Sequence, residues 1–271
     1  MKVVLFCGGF GMRMREYSDT IPKPMVKIGY RPIIWHVMKY YAHFGHKDFI
    51  LCLGWQGNVI KDYFLNYDEC VSNDFTLSNG GRDIELLNKD IDDWNITFVD
   101  TGITSCIGER LRRVKEHVQD EEYFLANYTD GLSDLNLDLL IDQHIENGST
   151  ATFVSVSPTQ SFHAVSTDEQ GRVYDISAIA NSDVWMNGGY FVLSNDIFDY
   201  IHPDEELVEA PFSRLIAESR LSSFRFNGFW SCMDTYKEMN MLHDLYEKGE
   251  RPWAVWEDNR PARRLSAEKP K

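Results

Sequence analysis

The sequence predicts an α/β fold, with a mixed, mostly parallel sheet flanked by helices and one small inserted β-hairpin. Three observations carry this. Short apolar runs rich in β-branched residues, such as 3–7 and 48–53, alternate with stretches of helical periodicity such as 32–44. The first run ends in a glycine-rich turn, as buried parallel strands do where they hand over to a ligand loop. The alternation breaks between about residues 70 and 95, where Asn79-Gly80-Gly81 separates 75–78 from 84–87 and signals a hairpin turn.

Each element has its own warrant. Residues 3–7 are uncharged and apolar, and Gly8, Gly9 and Gly11 follow. Glycines there let the backbone turn sharply and bring bare amides close to a ligand. Arg13 lies just beyond, and Lys23 sits between Pro22 and Pro24. A strand, a glycine loop and two cations make an anion site, most economically one for phosphates. No Gly-Lys-Ser/Thr closes it as a P-loop, and Met14 at the third glycine position disfavours a dinucleotide fingerprint. Residues 32–44 place Ile33, Ile34, Val37, Met38 and Tyr41 on one helical face, stopped by Gly45. A strand at 48–53 and a helix at 58–67 continue the rhythm, and right-handed crossovers then require a parallel sheet.

After the hairpin, 95–100 returns to the main sheet and 107–118 reads as one helix carrying Arg110, Arg112, Arg113 and Lys115. In an acidic chain this basic run is either a solvated face or a guard for phosphate. A strand at 123–127 leads to Asp130, at the carboxyl end where open α/β sheets bind ligands. A helix at 138–147, a strand at 151–156 and a second hairpin, 164–166 with 173–176, come next. Asn187-Gly188-Gly189 turns into a strand at 190–192. Helices at 197–200 and 211–218, a strand at 224–226, a turn bearing Asp234 and a helix at 236–248 complete one domain over 1–256. Residues 257–271 lack apolar periodicity and read as a loose tail.

Composition narrows the function. The chain has 271 residues, 43% hydrophobic, and a formal net charge of −15. Such a surface repels nucleic acids and anionic membranes, so phosphate must be met by local cations. No apolar stretch is long enough to span a bilayer, and the opening run reads as a strand rather than a leader peptide. Five cysteines without C-x-x-C suggest neither a disulfide framework nor a zinc site, and a cytoplasmic location is expected. Asp130 and Asp234 are two strand-end carboxylates of the kind that suit Mg²⁺, a hard cation satisfied by one or two protein oxygens plus phosphates. No Ser-His-Asp or Cys-His arrangement competes with them.

The spacing G-G-x-G-x-R followed by P-K-P resembles the sugar-phosphate nucleotidyltransferases. The segments WNITFVDTG and FWSCMDT make the chain similar to their glucose-1-phosphate cytidylyltransferase branch, from residue 1 to about residue 256. The resemblance implies a Rossmann-like nucleotidyltransferase fold. It also implies a Mg²⁺-dependent reaction in which CTP and a sugar 1-phosphate give a CDP-sugar and pyrophosphate. Gly8, Gly9, Gly11 and Arg13 would wrap the triphosphate, and Lys23 would neutralise charge at the α-phosphate. Asp130 and Asp234 would hold the metal, and Gly102 and Gly108 would line the nucleotide site. Arg110 would reach the triphosphate of a neighbouring subunit in a homo-oligomer, a hexamer being the usual form, with the inserted hairpin in the contact region. Asn187, Gly188 and His163 would face the acceptor. CDP-glucose feeds polysaccharide biosynthesis.

Two departures fall on the acceptor side. Ser177-Ala178-Ile179-Ala180 stands where the family has a glutamate–lysine–proline run, and His163 stands where a glycine is usual. They leave room for a different phosphorylated acceptor, or for a catalytically idle nucleotide-binding paralogue. A nicotinamide-dependent oxidoreductase is disfavoured by Met14.

Overall fold

A computed structural model describes residues 1–8, 21–158, 162–179 and 182–257. Gly9, Gly11 and Arg13 lie outside the described residues, as does nearly all of the expected tail.

One eight-stranded sheet forms the centre. Its strands in chain order are β1 (Val3–Phe6), β2 (Asp48–Leu53), β3 (Asn95–Asp100), β4 (Tyr123–Tyr128), β5 (Ala151–Val156), β6 (Met186–Asn187), β7 (Phe191–Ser194) and β8 (Leu221–Phe226). The spatial order runs β3, β2, β1, β4, β7, β5, β8. The strand β6 lies beside the far end of β5, on the edge whose near end β7 occupies. Only β6 and β7 run antiparallel to their neighbours, so the sheet is mixed and mostly parallel, as the sequence predicts.

The strand β1 is buried along its whole length, which explains its unbroken apolar run. Alternate residues feed two cores. Val3 and Leu5 face helices Ile33–His43, Leu137–Asn147 and Tyr236–Glu247, while Val4 and Phe6 face Ile107–Arg113 and Ala210–Ala217. The first inserted hairpin pairs Phe75–Ser78 with Asp83–Leu86, and the second pairs His163–Thr167 with Val173–Ala178. No helix among the described residues is long and apolar enough to cross a membrane.

Two predicted helices need correction. The run 107–118 is broken at Val114, which leaves helical geometry at φ −103° and divides the stretch into Ile107–Arg113 and Lys115–Val118. The Val114 amide donates to the Leu111 carbonyl at 3.1 Å, so the last turn tightens to three-residue spacing. The segment expected as a helix at 197–200 is instead a 3₁₀ turn at Asn195–Asp199. Both are short segments in which tertiary packing outweighs local periodicity.

Candidate active site

Three side chains far apart in sequence meet at the carboxyl end of the sheet. The Lys23 Nζ donates to Asp130 Oδ2 at 2.5 Å and to Asp234 Oδ1 at 2.5 Å. Lys23 is presented by a 3₁₀ turn, Lys23–Met25, whose flanking prolines restrict the backbone, with Pro22 at φ −65°. The Met25 amide closes the turn on the Pro22 carbonyl at 2.8 Å. Asp130 follows β4 directly, and Thr129 ties that end to β1 by donating to the Phe6 carbonyl at 3.1 Å.

Asp234 is placed by a feature too short to read from sequence. Trp230–Cys232 pairs antiparallel with Gly131–Ser133, bringing the two aspartate turns together. The Met233 amide then donates to the Asp130 carbonyl at 2.8 Å. Glu238 completes the mounting, since one of its oxygens accepts from the amides of both Asp234 and Thr235 at 2.9 Å. Thr235 and Glu238 form a capping box on helix Tyr236–Glu247, so the helix start and the aspartate turn are one structure. The T-x-x-E signal at 235–238 is legible and marks this support.

Burial disfavours the Lys23 ammonium, yet Asp130 and Asp234 outweigh it and hold the pKa above the ordinary lysine value. The side chains of Lys23, Asp130 and Asp234 are 16%, 27% and 38% exposed. The site is therefore partly open to an incoming ligand. Hard carboxylate oxygens converging on one positive centre fit Mg²⁺, which takes one or two protein carboxylates with phosphate and water for the rest. No group of three or more histidine, cysteine, aspartate or glutamate side chains that could hold a metal occurs among the described residues.

Arg110 is not where a donor to a neighbouring subunit would stand. It is 1% exposed, and its Nη1 donates to the Leu53 carbonyl at 3.1 Å and to Thr101 Oγ1 at 2.7 Å. A Cβ built on Gly8 would lie 2.1 Å from its guanidinium carbon, and one on Gly54 would lie 2.9 Å from Nη1. The two glycines thus form a slot for this guanidinium at the ends of β1 and β2. Gly8 spares its side chain for Arg110 of its own chain. The other arginines expected near phosphate are engaged too, since Arg112 and Arg113 each hold Glu109 at 2.8 Å. Burial and charge of Glu109 are reconciled by these hydrogen bonds, and its pKa falls to about 2, with the Arg112 bond the largest cause.

The remaining expected residues divide between packing and the acceptor side. A Cβ on Gly108 would lie 2.3 Å from the Glu205 carbonyl, so this glycine permits close packing of its helix. Gly102 adopts φ +87°, with Ser105 and Arg113 beside it, a turn position that favours glycine. Asn187 Oδ1 accepts from the Gly189 amide at 2.9 Å. The Gly188 carbonyl accepts from Trp230 Nε1 at 2.9 Å, linking the glycine turn to the strand before Asp234. His163 is exposed at the start of the second hairpin, opposite Ala178. The Ile179 amide donates to the Phe162 carbonyl at 2.9 Å, so the two acceptor-side departures are neighbours at the base of that hairpin. Tyr128 and Trp230 carry no signal of their own in the sequence and emerge only from sheet register.

The family model for nucleotidyl transferase matches residues 2–237. The chain is similar to the glucose-1-phosphate cytidylyltransferase of Salmonella typhi, 41% identical over 259 residues covering 95% of this chain and 100% of that protein. It is 25% identical over 247 residues to the mannose-1-phosphate guanyltransferase of Saccharomyces cerevisiae, covering 85% of this chain and 60% of that protein. In fold it is similar to the crystal structure of HddC from Yersinia pseudotuberculosis, with a TM-score of 0.66 at 17% identity over 90% of this chain and 99% of that one.

Proposed function

The chain belongs to the nucleotidyl transferase family and to its glucose-1-phosphate cytidylyltransferases, and we infer that it transfers a cytidylyl group from CTP to glucose 1-phosphate, giving CDP-glucose and pyrophosphate. The observation that carries the chemistry is the meeting of Lys23, Asp130 and Asp234 at the sheet's carboxyl end. The attacking group is already a phosphate anion, so the reaction needs alignment and charge neutralisation at the α-phosphorus more than a strong base. Lys23 would supply one positive charge and the two carboxylates would hold the metal cation that supplies the rest, with no protein nucleophile required.

Asp130 and Asp234 would hold Mg²⁺, which when bound neutralises triphosphate charge. Lys23 would then face the α-phosphate, with Gly9, Gly11 and Arg13 wrapping the remainder of the triphosphate beside Gly8. Asn187 and Gly188 would meet the sugar, and His163 would stand at the rim. Homo-oligomeric assembly, a cytoplasmic location and a role in polysaccharide biosynthesis belong to the same proposal and rest on the resemblance. The test is incubation with CTP, glucose 1-phosphate and Mg²⁺, followed by phosphorus NMR. CDP-glucose and pyrophosphate should appear in equal amounts. Hydrolysis of CTP without a sugar nucleotide would overturn the reading.

A further inference from the structure

The transfer needs an acceptor oxygen brought in line with an α-phosphorus that sits beside Asp130 and Asp234. The acceptor turn must therefore keep a fixed place relative to those two aspartates. That turn, Asn187-Gly188-Gly189-Tyr190, lies against the carboxyl end of β4. The Tyr190 amide donates to Asn127 Oδ1 at 2.9 Å, and Asn127 stands three residues before Asp130. A Cβ on Gly189 would lie 2.5 Å from that Oδ1 and 3.1 Å from the Tyr128 ring, so glycine is what lets the turn come this close.

Tyr190 is the outlier of the turn. Its φ is +51°, directly after Gly189 at φ +75°. Left-handed backbone suits glycine and is costly for a bulky aromatic residue. The other non-glycine residues with positive φ among the described residues, Gln56, Asn79, Asp204 and Ser219, are polar, and none is buried. Tyr190 is 1% exposed. Such a conformation persists only where the surroundings fix it. The ring is held edge-on to Tyr40 and stacked on Tyr41, with centroids 5.3 and 6.1 Å away, both from helix Ile33–His43. The hydroxyl donates to the Gly131 carbonyl at 3.1 Å. Gly131 follows Asp130 and pairs with Cys232 in the short ladder that brings Asp234 in. Trp230, on the other strand of that ladder, donates from Nε1 to the Gly188 carbonyl at 2.9 Å. The turn is thus bonded to both strands that carry the aspartates. A glycine at position 190 would take the same φ without strain, but it could not reach Gly131. The hydroxyl is what the strained residue adds.

We propose that Tyr190 is a positioning residue for the transfer, its hydroxyl and Trp230 Nε1 together fixing the acceptor turn against the ladder that joins Asp130 and Asp234. The assignment rests on the cytidylyl transfer inferred above. It deepens that reading by naming the bonds that set the acceptor's place relative to the metal aspartates.

The test compares steady-state kinetics of the full chain and of Tyr190→Phe, Trp230→Phe and the double variant, with CTP, glucose 1-phosphate and Mg²⁺. Phenylalanine keeps the ring between Tyr40 and Tyr41 and removes only the hydroxyl. Turnover is expressed per folded site, with the folded fraction taken from circular dichroism. The kcat should fall about tenfold in Tyr190→Phe and about a hundredfold in the double variant, as small displacements of reacting groups do. The KM for CTP should stay within about twofold, because Lys23, Asp130 and Asp234 keep their own contacts. A parental kcat in Tyr190→Phe, or a fall matched by an equal rise in the KM for CTP, would overturn the assignment while leaving cytidylyl transfer standing. Loss of folded protein with parental turnover per folded site would mark a purely structural role and overturn it equally. An unmutated protein that forms no CDP-glucose would defeat the underlying reading, and the assignment with it.

Discussion

Replacing Lys23 with methionine tests the heart of the site, because it keeps the chain length and removes the charge. The two carboxylate oxygens each lie 2.5 Å from one nitrogen, so they are no more than about 5 Å apart. Without the ammonium, two like charges at that distance repel by about 3 kcal/mol at an effective dielectric of about 20. The aspartate side chains are 27% and 38% exposed, so screening reduces this to about 1–2 kcal/mol. In metal-free buffer Lys23→Met should therefore melt a few degrees below the unmutated protein. Millimolar MgCl₂ should close that gap, since a divalent ion can then take the place between the carboxylates, while the unmutated protein should shift little. Turnover should fall at least about a hundredfold, as when one fixed charge stabiliser is removed. The assay is thermal denaturation with and without Mg²⁺, alongside pyrophosphate release. A variant that melts like its parent, or whose deficit ignores Mg²⁺, would refute the view that Lys23 occupies a cation site shared by both aspartates.

Two further substitutions separate chemistry from packing. Asp234→Asn should cut turnover about a hundred- to thousandfold while circular dichroism and melting stay near those of the parent, because Glu238 still receives the amides of residues 234 and 235. Activity close to the parent's would remove Asp234 from the metal site. Gly108→Ala should destabilise the fold by about 1–3 kcal/mol, as its new methyl meets the Glu205 carbonyl at 2.3 Å, with KM for CTP unmoved in the protein that remains folded. Urea denaturation gives the first quantity and steady-state kinetics the second. A stable variant with impaired CTP binding would return Gly108 to the nucleotide site.

Much of this fold is written locally. The run Val3–Phe6 is apolar at every position because both its faces are buried, and that burial is what made it legible as a central strand. The placement of Lys23 between prolines and of Asp130 and Asp234 at turns is equally plain. Their convergence was not, because contacts spanning 107 and 211 residues are created by strand order and by a three-residue ladder. Arg110 shows the limit most clearly. Its charge and its place in a basic run point outward, whereas the Gly8 and Gly54 slot draws the guanidinium inside.

The central claim is that this chain joins a cytidylyl group to a sugar 1-phosphate, and a single competition measures it. The protein is given equal concentrations of CTP, UTP, dTTP, ATP and GTP together with glucose 1-phosphate and Mg²⁺, and the sugar nucleotides formed at early times are separated by chromatography. The account predicts CDP-glucose as the dominant product, with pyrophosphate released in the same amount. A product mixture without preference for cytidine would contradict the cytidylyl assignment, and the absence of any sugar nucleotide would contradict the account as a whole.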